Sequence, residues 1–242
     1  MIVLRKQEIK APNSYDWLKV LAIISMIIDH AGLFLMDDNQ SMRAIGRLAF
    51  PLFFFLIGYN GTTKISASLV GAACFIEAVD YLVQHGETVP LGILCTVIIT
   101  RIFLKYALSE AEKWCSPASL AVLFACLIIL FPLALIFDYG GMALMFAVLG
   151  RVAKAGFNNK PRLLFLLSIM IFFVFVTSFD SLNSYSMAIA AMFLGAIFYK
   201  FRVVEAKSGN ITVDSICLLA SRHALFIYVF HYTLFGVLYW YA

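Results

Sequence analysis

The sequence predicts an all-α, polytopic membrane helix bundle of about nine spans. Three observations predict it. Of 242 residues, 63% are hydrophobic and only 13% are charged, against about 25% charged in soluble domains, and the mean hydropathy is +0.93. Apolar windows of about 20 residues, the length that crosses hydrocarbon as a helix, recur along the whole chain. The charges between those windows alternate sharply in sign. The net charge of +4 is modest, and the basic residues sit in short loops that need only anionic lipid as a partner. No nucleic-acid partner is expected.

Taken in order, the windows fall at about residues 17–36, 44–60, 65–84, 90–108, 117–137, 139–153, 162–179, 185–201 and 221–241. Residues 1–16 are polar and lack the apolar core of a cleavable signal peptide. They are expected to form a cytoplasmic N-terminal segment, with residues 17–242 a single transmembrane domain. Pro90, Pro117 and Pro161 mark span entrances, whereas Pro51 and Pro132 lie inside apolar runs, where proline removes a helix hydrogen bond. One set of loops holds Arg5, Lys6, Lys10, Lys64, Lys105, Lys113, Arg151, Lys154, Lys160, Arg162, Lys200, Arg202 and Lys207. The other holds Asp37, Asp38, Arg43, Glu87, Asp138 and Asp180. Thirteen cations against one place the first set, and the N-terminus, in the cytoplasm. Nine spans then put the C-terminus outside. The five cysteines show no CxxC spacing and mostly lie in apolar runs, so they read as packing residues, and no metal is expected.

The polar residues within the spans are the functional candidates, because an ionisable group in hydrocarbon costs about 2.5–3.5 kcal/mol on insertion scales. Asp29-His30 lies near the end of the first span, in its outer half by this topology. Histidine is the side chain best suited to moving a proton near neutral pH. Asp29 lies about 100° from His30 around the helix, so it is expected to orient a different group, such as Arg47. Arg43 and Arg47, at i and i+4, share a face and read either as interfacial anchors or as site residues. Gly46 between them permits close helix approach. Glu77 and Asp80 share a face of the third span, as structural partners of an arginine or as site residues. His231, mid-way along the last span, is a helix–helix hydrogen-bonding residue or a ligand contact. Asp138 and Asp180 read as loop charges. Arg101 and Lys19, at the cytoplasmic side, are placed either to snorkel or to bind phosphate from the cytosol. Tyr59 closes the second span at the same side, after a phenylalanine run that reads as lipid-facing or core packing.

Two stretches carry a family resemblance. Tyr15-Asp-Trp-Leu-Lys-Val-Leu-Ala-Ile-Ile-Ser-Met-Ile-Ile-Asp-His30 and Arg43-Ala-Ile-Gly-Arg-Leu-Ala-Phe-Pro-Leu-Phe53 resemble the TraX family. Asp138-Tyr-Gly-Gly-Met-Ala-Leu-Met145 and Tyr228-Val-Phe-His231 are similar to further segments of that family. The resemblance implies a bacterial inner-membrane enzyme that acetylates the N-terminal amine of a conjugal pilin, with acetyl-CoA as acyl donor. The family is in turn similar to the membrane acyltransferase-3 group, whose Asp-x-Leu-Arg followed by His is matched by Asp16-Trp-Leu-Lys19 and His30, with lysine in place of arginine.

Acyl transfer from a thioester needs few protein groups. His30 fits the general base or a covalent acyl carrier, Arg47 fits the oxyanion stabiliser, and Asp29 fits an orienting partner. Arg43, Glu77, Asp80, Tyr139 and His231 are expected on the acceptor side, with Lys19, Arg101 and Tyr59 holding the donor. The acceptor is a pilin or another envelope component, an envelope glycan being the alternative, which O-acetylation would serve. Two non-enzymatic readings also suit intramembrane charges: a proton-coupled transporter, against which the lack of paired repeats counts, and a pilus assembly factor.

Overall fold

The computed structural model of the chain describes residues 11–83, 91–107, 136–154 and 184–241, the last stretch with side chains from residue 192. Every regular element among the described residues is a helix: α1 (Ser14–Phe34), α2 (Gln40–Gly46), α3 (Ala49–Asn60), α4 (Ala67–Val83), α5 (Ile93–Ala107), α6 (Gly140–Lys154), α7 (Ser184–Lys200), α8 (Ile211–Arg222) and α9 (Ala224–Tyr241). Extended pairing is limited there to the isolated bridges Asn13 with Glu205 and Leu91 with Phe137. Ser14–Phe34, Gln40–Asn60 and Ala224–Tyr241 are each long and apolar enough to cross a membrane. Large apolar side chains stand exposed on α1 (Leu21, Ile24), α4 (Val70, Phe75, Leu82) and α9 (Phe226, Phe230, Leu234, Leu238). Outward faces this apolar are tolerable in lipid and not in water. The windows at about 117–137 and 162–179 lie, apart from Ile136 and Phe137, outside the described residues. So do Pro90, Pro117, Pro132, Pro161, Glu87, Asp180, Cys115 and Cys126.

α1 starts where a capping box forms. The Asn13 side chain accepts from the backbone of Tyr15 and Asp16, and the Asp16 carboxylate accepts from Asn13 N at 3.1 Å. The other Asp16 oxygen accepts from Ser221 Oγ at 2.7 Å, which ties α1 to α8. The chain around residues 202–206 lies along the same end of α1, with Ser14 N donating to Val204 O and Trp17 Nε1 to Ala206 O. α8 occupies a stretch expected as loop. It is capped by Asn210 and separated from α9 by a break at His223.

The second apolar window is two helices. α2 begins at Gln40 under an Asn39 cap, four residues before the expected start, and the chain breaks at Arg47 and Leu48 before α3. Pro51 is the reason. It would deprive a continuous helix of one backbone donor, but in the first turn of a new helix that donor has no partner to lose. The i, i+4 relation of Arg43 and Arg47 survives, since Arg47 N still donates to Arg43 O at 2.9 Å.

The core sits on α3 and α6. Of the run Phe53-Phe54-Phe55, Phe54 and Phe55 are buried and Phe53 is partly buried against the same core, beside the buried Phe50, so the run is core packing and not a lipid face. Phe55 stacks on Phe198 with centroids 4.2 Å apart, and Phe50 meets Phe146 edge-on. α6 is buried on all sides from Gly140 to Gly150, which makes it the central helix. Two glycines allow its approach to α3. A Cβ on Gly58 would enter the backbone of Ala147, and one on Gly150 would enter the backbone at Phe55 and Tyr59. Backbone cannot move aside as a side-chain tip can, so a methyl group at either point forces the helices apart.

Gly58→Ala and Gly150→Ala are expected to destabilise the bundle by about 1–3 kcal/mol each through overpacking. Gly71→Ala, on a face with no atom within 4 Å of the new methyl, is expected to be neutral or slightly stabilising. Thermal unfolding of the three variants in detergent checks this.

Candidate active site

Polar side chains from five elements converge on one cavity of about 510 Å³. α1 supplies Asp29 and His30. α2 and the break after it supply Arg43 and Arg47. α4 supplies Asp80, the turn before α6 supplies Asp138 and Tyr139, and α9 supplies Tyr228 and Tyr232. Phe50, Phe53, Met26 and Met142 are among the apolar residues of the wall. A mixed apolar and polar lining of this size is typical of a small-molecule site.

His30 is held from α9. Its Nδ1 lies 2.8 Å from His231 Nε2, and the two rings stack with centroids 5.0 Å apart. His231 is buried, and its own Nδ1 meets Ile227 O one turn back on α9. The Tyr232 ring stands edge-on to His30 at 4.8 Å, while its hydroxyl donates to Asp80 Oδ1. The imidazole is thus boxed by Tyr228, Tyr232 and His231 from a single helix.

Asp29 is buried and pairs with Arg43, with NH1 to Oδ2 at 3.4 Å. Arg43 is also bridged to Asp38, Nε to Oδ1 at 3.2 Å. Asp38 holds a left-handed φ of 56° in the turn that reverses the chain between α1 and α2. Gly46 lets α2 come this near, since a Cβ there would enter the Asp29 backbone. Arg47 lies within the field of Asp29 and donates from NH1 to the Tyr139 hydroxyl at 2.9 Å. The direct ion pair of Asp29 is therefore with Arg43, where the sequence pointed to Arg47. Tyr139 carries a φ of 64°, an uncommon value for a non-glycine residue. Its ring is clamped on Phe50 at 3.8 Å between centroids. Strain of this kind persists where the surroundings over-determine it, as at binding sites.

A family model described as TraX protein matches residues 14–239 of this chain. The chain belongs to the TraX family. A protein of Rickettsia prowazekii (strain Madrid E) named "Uncharacterized protein RP591" is 29% identical over 143 residues, which is 59% of this chain and 56% of the Rickettsia protein. The chain thus spans about half the length of that curated relative. No solved structure matches.

The TraX-like segments meet in space although they are far apart in sequence. His30, Arg43 and Arg47, Tyr139, and Tyr228 with His231 all lie in or directly behind the cavity wall. Asp80 lines the cavity but Glu77 does not. Glu77 Oε1 accepts from Gly92 N at 2.7 Å and so caps the start of α5. Asp138, expected as a loop charge, is half-buried in the wall. Tyr232 is the site residue that sequence reading passed over. Its spacing of four from Tyr228 puts both on one helix face and was the available signal.

Lys19, Arg101 and Tyr59 form no part of this cavity. Lys19 is eleven residues before His30, about 16 Å lower along α1. Arg101 is close enough to act on its charge. Arg101 NH1 donates to Lys64 O at 2.7 Å, and its Nε is buried without a hydrogen-bond partner. Tyr59 packs edge-on against Phe201, next to Arg202, whose carbonyl binds Ser14. All three therefore lie toward the Ser14 end of α1. Asp16, likewise at that end of α1, is engaged in the helix cap and with Ser221.

Burial, reinforced by the Asp80 and Glu77 carboxylates, pushes the Asp138 carboxyl up to about 6, with Arg47 opposing. A carboxyl raised on folding favours the neutral form, so its ionisation opposes folding above about pH 6, and that opposition fades as pH falls toward the unfolded value. Asp138→Asn is therefore expected to raise the unfolding temperature at pH 8, with the difference from the parent shrinking between pH 7 and pH 4. Thermal unfolding across that pH range checks the sign.

Proposed function

We propose that this TraX-family protein is a membrane-embedded acyltransferase that moves an acetyl group from acetyl-CoA to the N-terminal amine of a pilin or similar envelope acceptor. One observation carries the reading. An imidazole, a guanidinium and a tyrosine hydroxyl share a single cavity inside an apolar bundle, and they supply the base and the oxyanion donors that suit acyl transfer.

In this reading the acceptor nitrogen attacks the thioester carbonyl carbon. A C–N bond forms and the carbonyl oxygen takes up negative charge. Arg47 stabilises that oxyanion, together with the Tyr139 hydroxyl it holds. His30 takes the proton released by the nitrogen. When the C–S bond breaks, the leaving sulfur carries away its electron pair and receives that proton from His30 as free thiol. Arg43 and Asp29, paired with each other, keep α2 and its arginines in position.

The proposed topology has nine spans with a cytoplasmic N-terminus, in the bacterial inner membrane. It puts Lys19 and Arg101 on the side of the donor. The phosphates of acetyl-CoA stay near these cations and Tyr59, while the pantetheine arm covers the rise of about 16 Å to His30. The acceptor enters from the opposite face, where a pilin N-terminus is exposed after its leader is removed. Asp80 and Asp138 in the cavity wall offer carboxylates to an incoming ammonium, which must first give up one proton, to one of them or to bulk water, to become the attacking amine.

His30→Gln is expected to lower acyl transfer by about 10²–10⁴-fold with normal membrane expression, and Arg47→Gln by about 10²–10³-fold. Mass spectrometry of surface pilin and envelope glycan, from strains with and without the protein, reads the product. Loss of an acetyl mass from pilin supports the reading, and loss from glycan alone replaces the acceptor. An unchanged acetyl mass in the His30→Gln strain overturns the mechanism.

A further inference from the structure

We infer that His231 is a positioning residue that fixes His30 as the Nδ1–H tautomer and so makes Nε2 its basic atom. The assignment follows from counting protons along one chain of contacts. Ile227 O can only accept, so the His231 Nδ1 that meets it carries the proton. A neutral His231 then has a bare Nε2. That nitrogen lies 2.8 Å from His30 Nδ1, so His30 Nδ1 is the donor. A neutral His30 is left with its lone pair on Nε2. The main-chain carbonyl of α9 thus sets the proton position on an imidazole of α1, two rings away.

Three features make this more than a stitch between two helices. The chain starts at a backbone carbonyl, which cannot change protonation, so it has a single direction. The arrangement opposes the intrinsic preference of a free imidazole, which favours the Nε2–H form. His30 lines the cavity and His231 does not, so Nδ1 is tied to a residue outside the lining and Nε2 is the ring nitrogen that this contact leaves unused. A neighbour that sets ring orientation and tautomer is how histidine ligands and bases are commonly tuned. The positioning role rests on the acyl-transfer reading above, whereas the tautomer does not.

The test uses the full chain in detergent or nanodiscs with imidazole-¹⁵N histidine. The sequence has four histidines, His30, His85, His223 and His231, which single variants assign. The parent protein is expected to show His30 with Nδ1 protonated and Nε2 bare. His231→Leu removes the acceptor and is expected to return His30 to the Nε2–H form, with acyl transfer lowered by about 10- to 100-fold. His231→Gln, whose side-chain oxygen accepts in place of the imidazole, is expected to keep the parent tautomer and most of the activity. A parent spectrum dominated by Nε2–H at His30 overturns the inference, as does an unchanged His30 in His231→Leu. Equal activity losses in the leucine and glutamine variants overturn the positioning role. If the leucine variant does not fold, the parent and glutamine spectra still decide. If no acyl product forms at all, the acyl-transfer reading fails while the spectra judge the tautomer separately.

Discussion

The polar centre of this bundle hangs on the contact between Gly46 and the backbone of Asp29. With no side chain at that point, α2 lies directly on α1. Arg43 can then reach Asp29, and Arg47 is carried on to Tyr139. Any side chain larger than hydrogen would lift α2 and pull Arg43 away from the buried Asp29 carboxylate. Removing one partner of a buried ion pair costs about 3–5 kcal/mol, so the geometry of this one contact controls several polar groups at once.

From that contact the rest of the site follows in layers. α3 continues beyond the break at Arg47 and Leu48 and carries Phe50 under Tyr139. α6 brings Tyr139 and Asp138 because Gly58 and Gly150 let it approach α3 closely. α9 closes the other side with Tyr228, His231 and Tyr232, each touching the His30 ring. The apolar exterior holds this arrangement in lipid, where polar groups have no water to turn to. They are driven inward to meet one another.

The legibility of the sequence varied with the kind of signal. Hydropathy located α1, α4, α5, α6, α7 and α9 to within a few residues, because a helix in lipid must be apolar along its length. It merged α2 with α3, since composition does not register a break of two residues. It missed α8, whose Asn210 cap and short length carry little hydropathy signal. His30, Arg43, Arg47, Asp80, Tyr139 and His231 were all legible as candidates, as polar residues in apolar runs or as parts of a family-like segment. Glu77 looked equivalent to Asp80, yet one carboxylate caps α5 and the other lines the cavity. Three residues of spacing cannot separate those fates.

The sequence by itself determined the class of the protein, because the cost of exposing apolar surface to water, or charge to lipid, is a property of composition and order along the chain. It determined which side chains were out of place in hydrocarbon and therefore worth watching. Only the tertiary structure decided their partners: Asp29 with Arg43, Arg47 with Tyr139, Tyr232 with Asp80, and His30 with His231. Those pairings join residues up to 201 positions apart. They depend on how closely helices pack, and three glycines set that distance by what they lack.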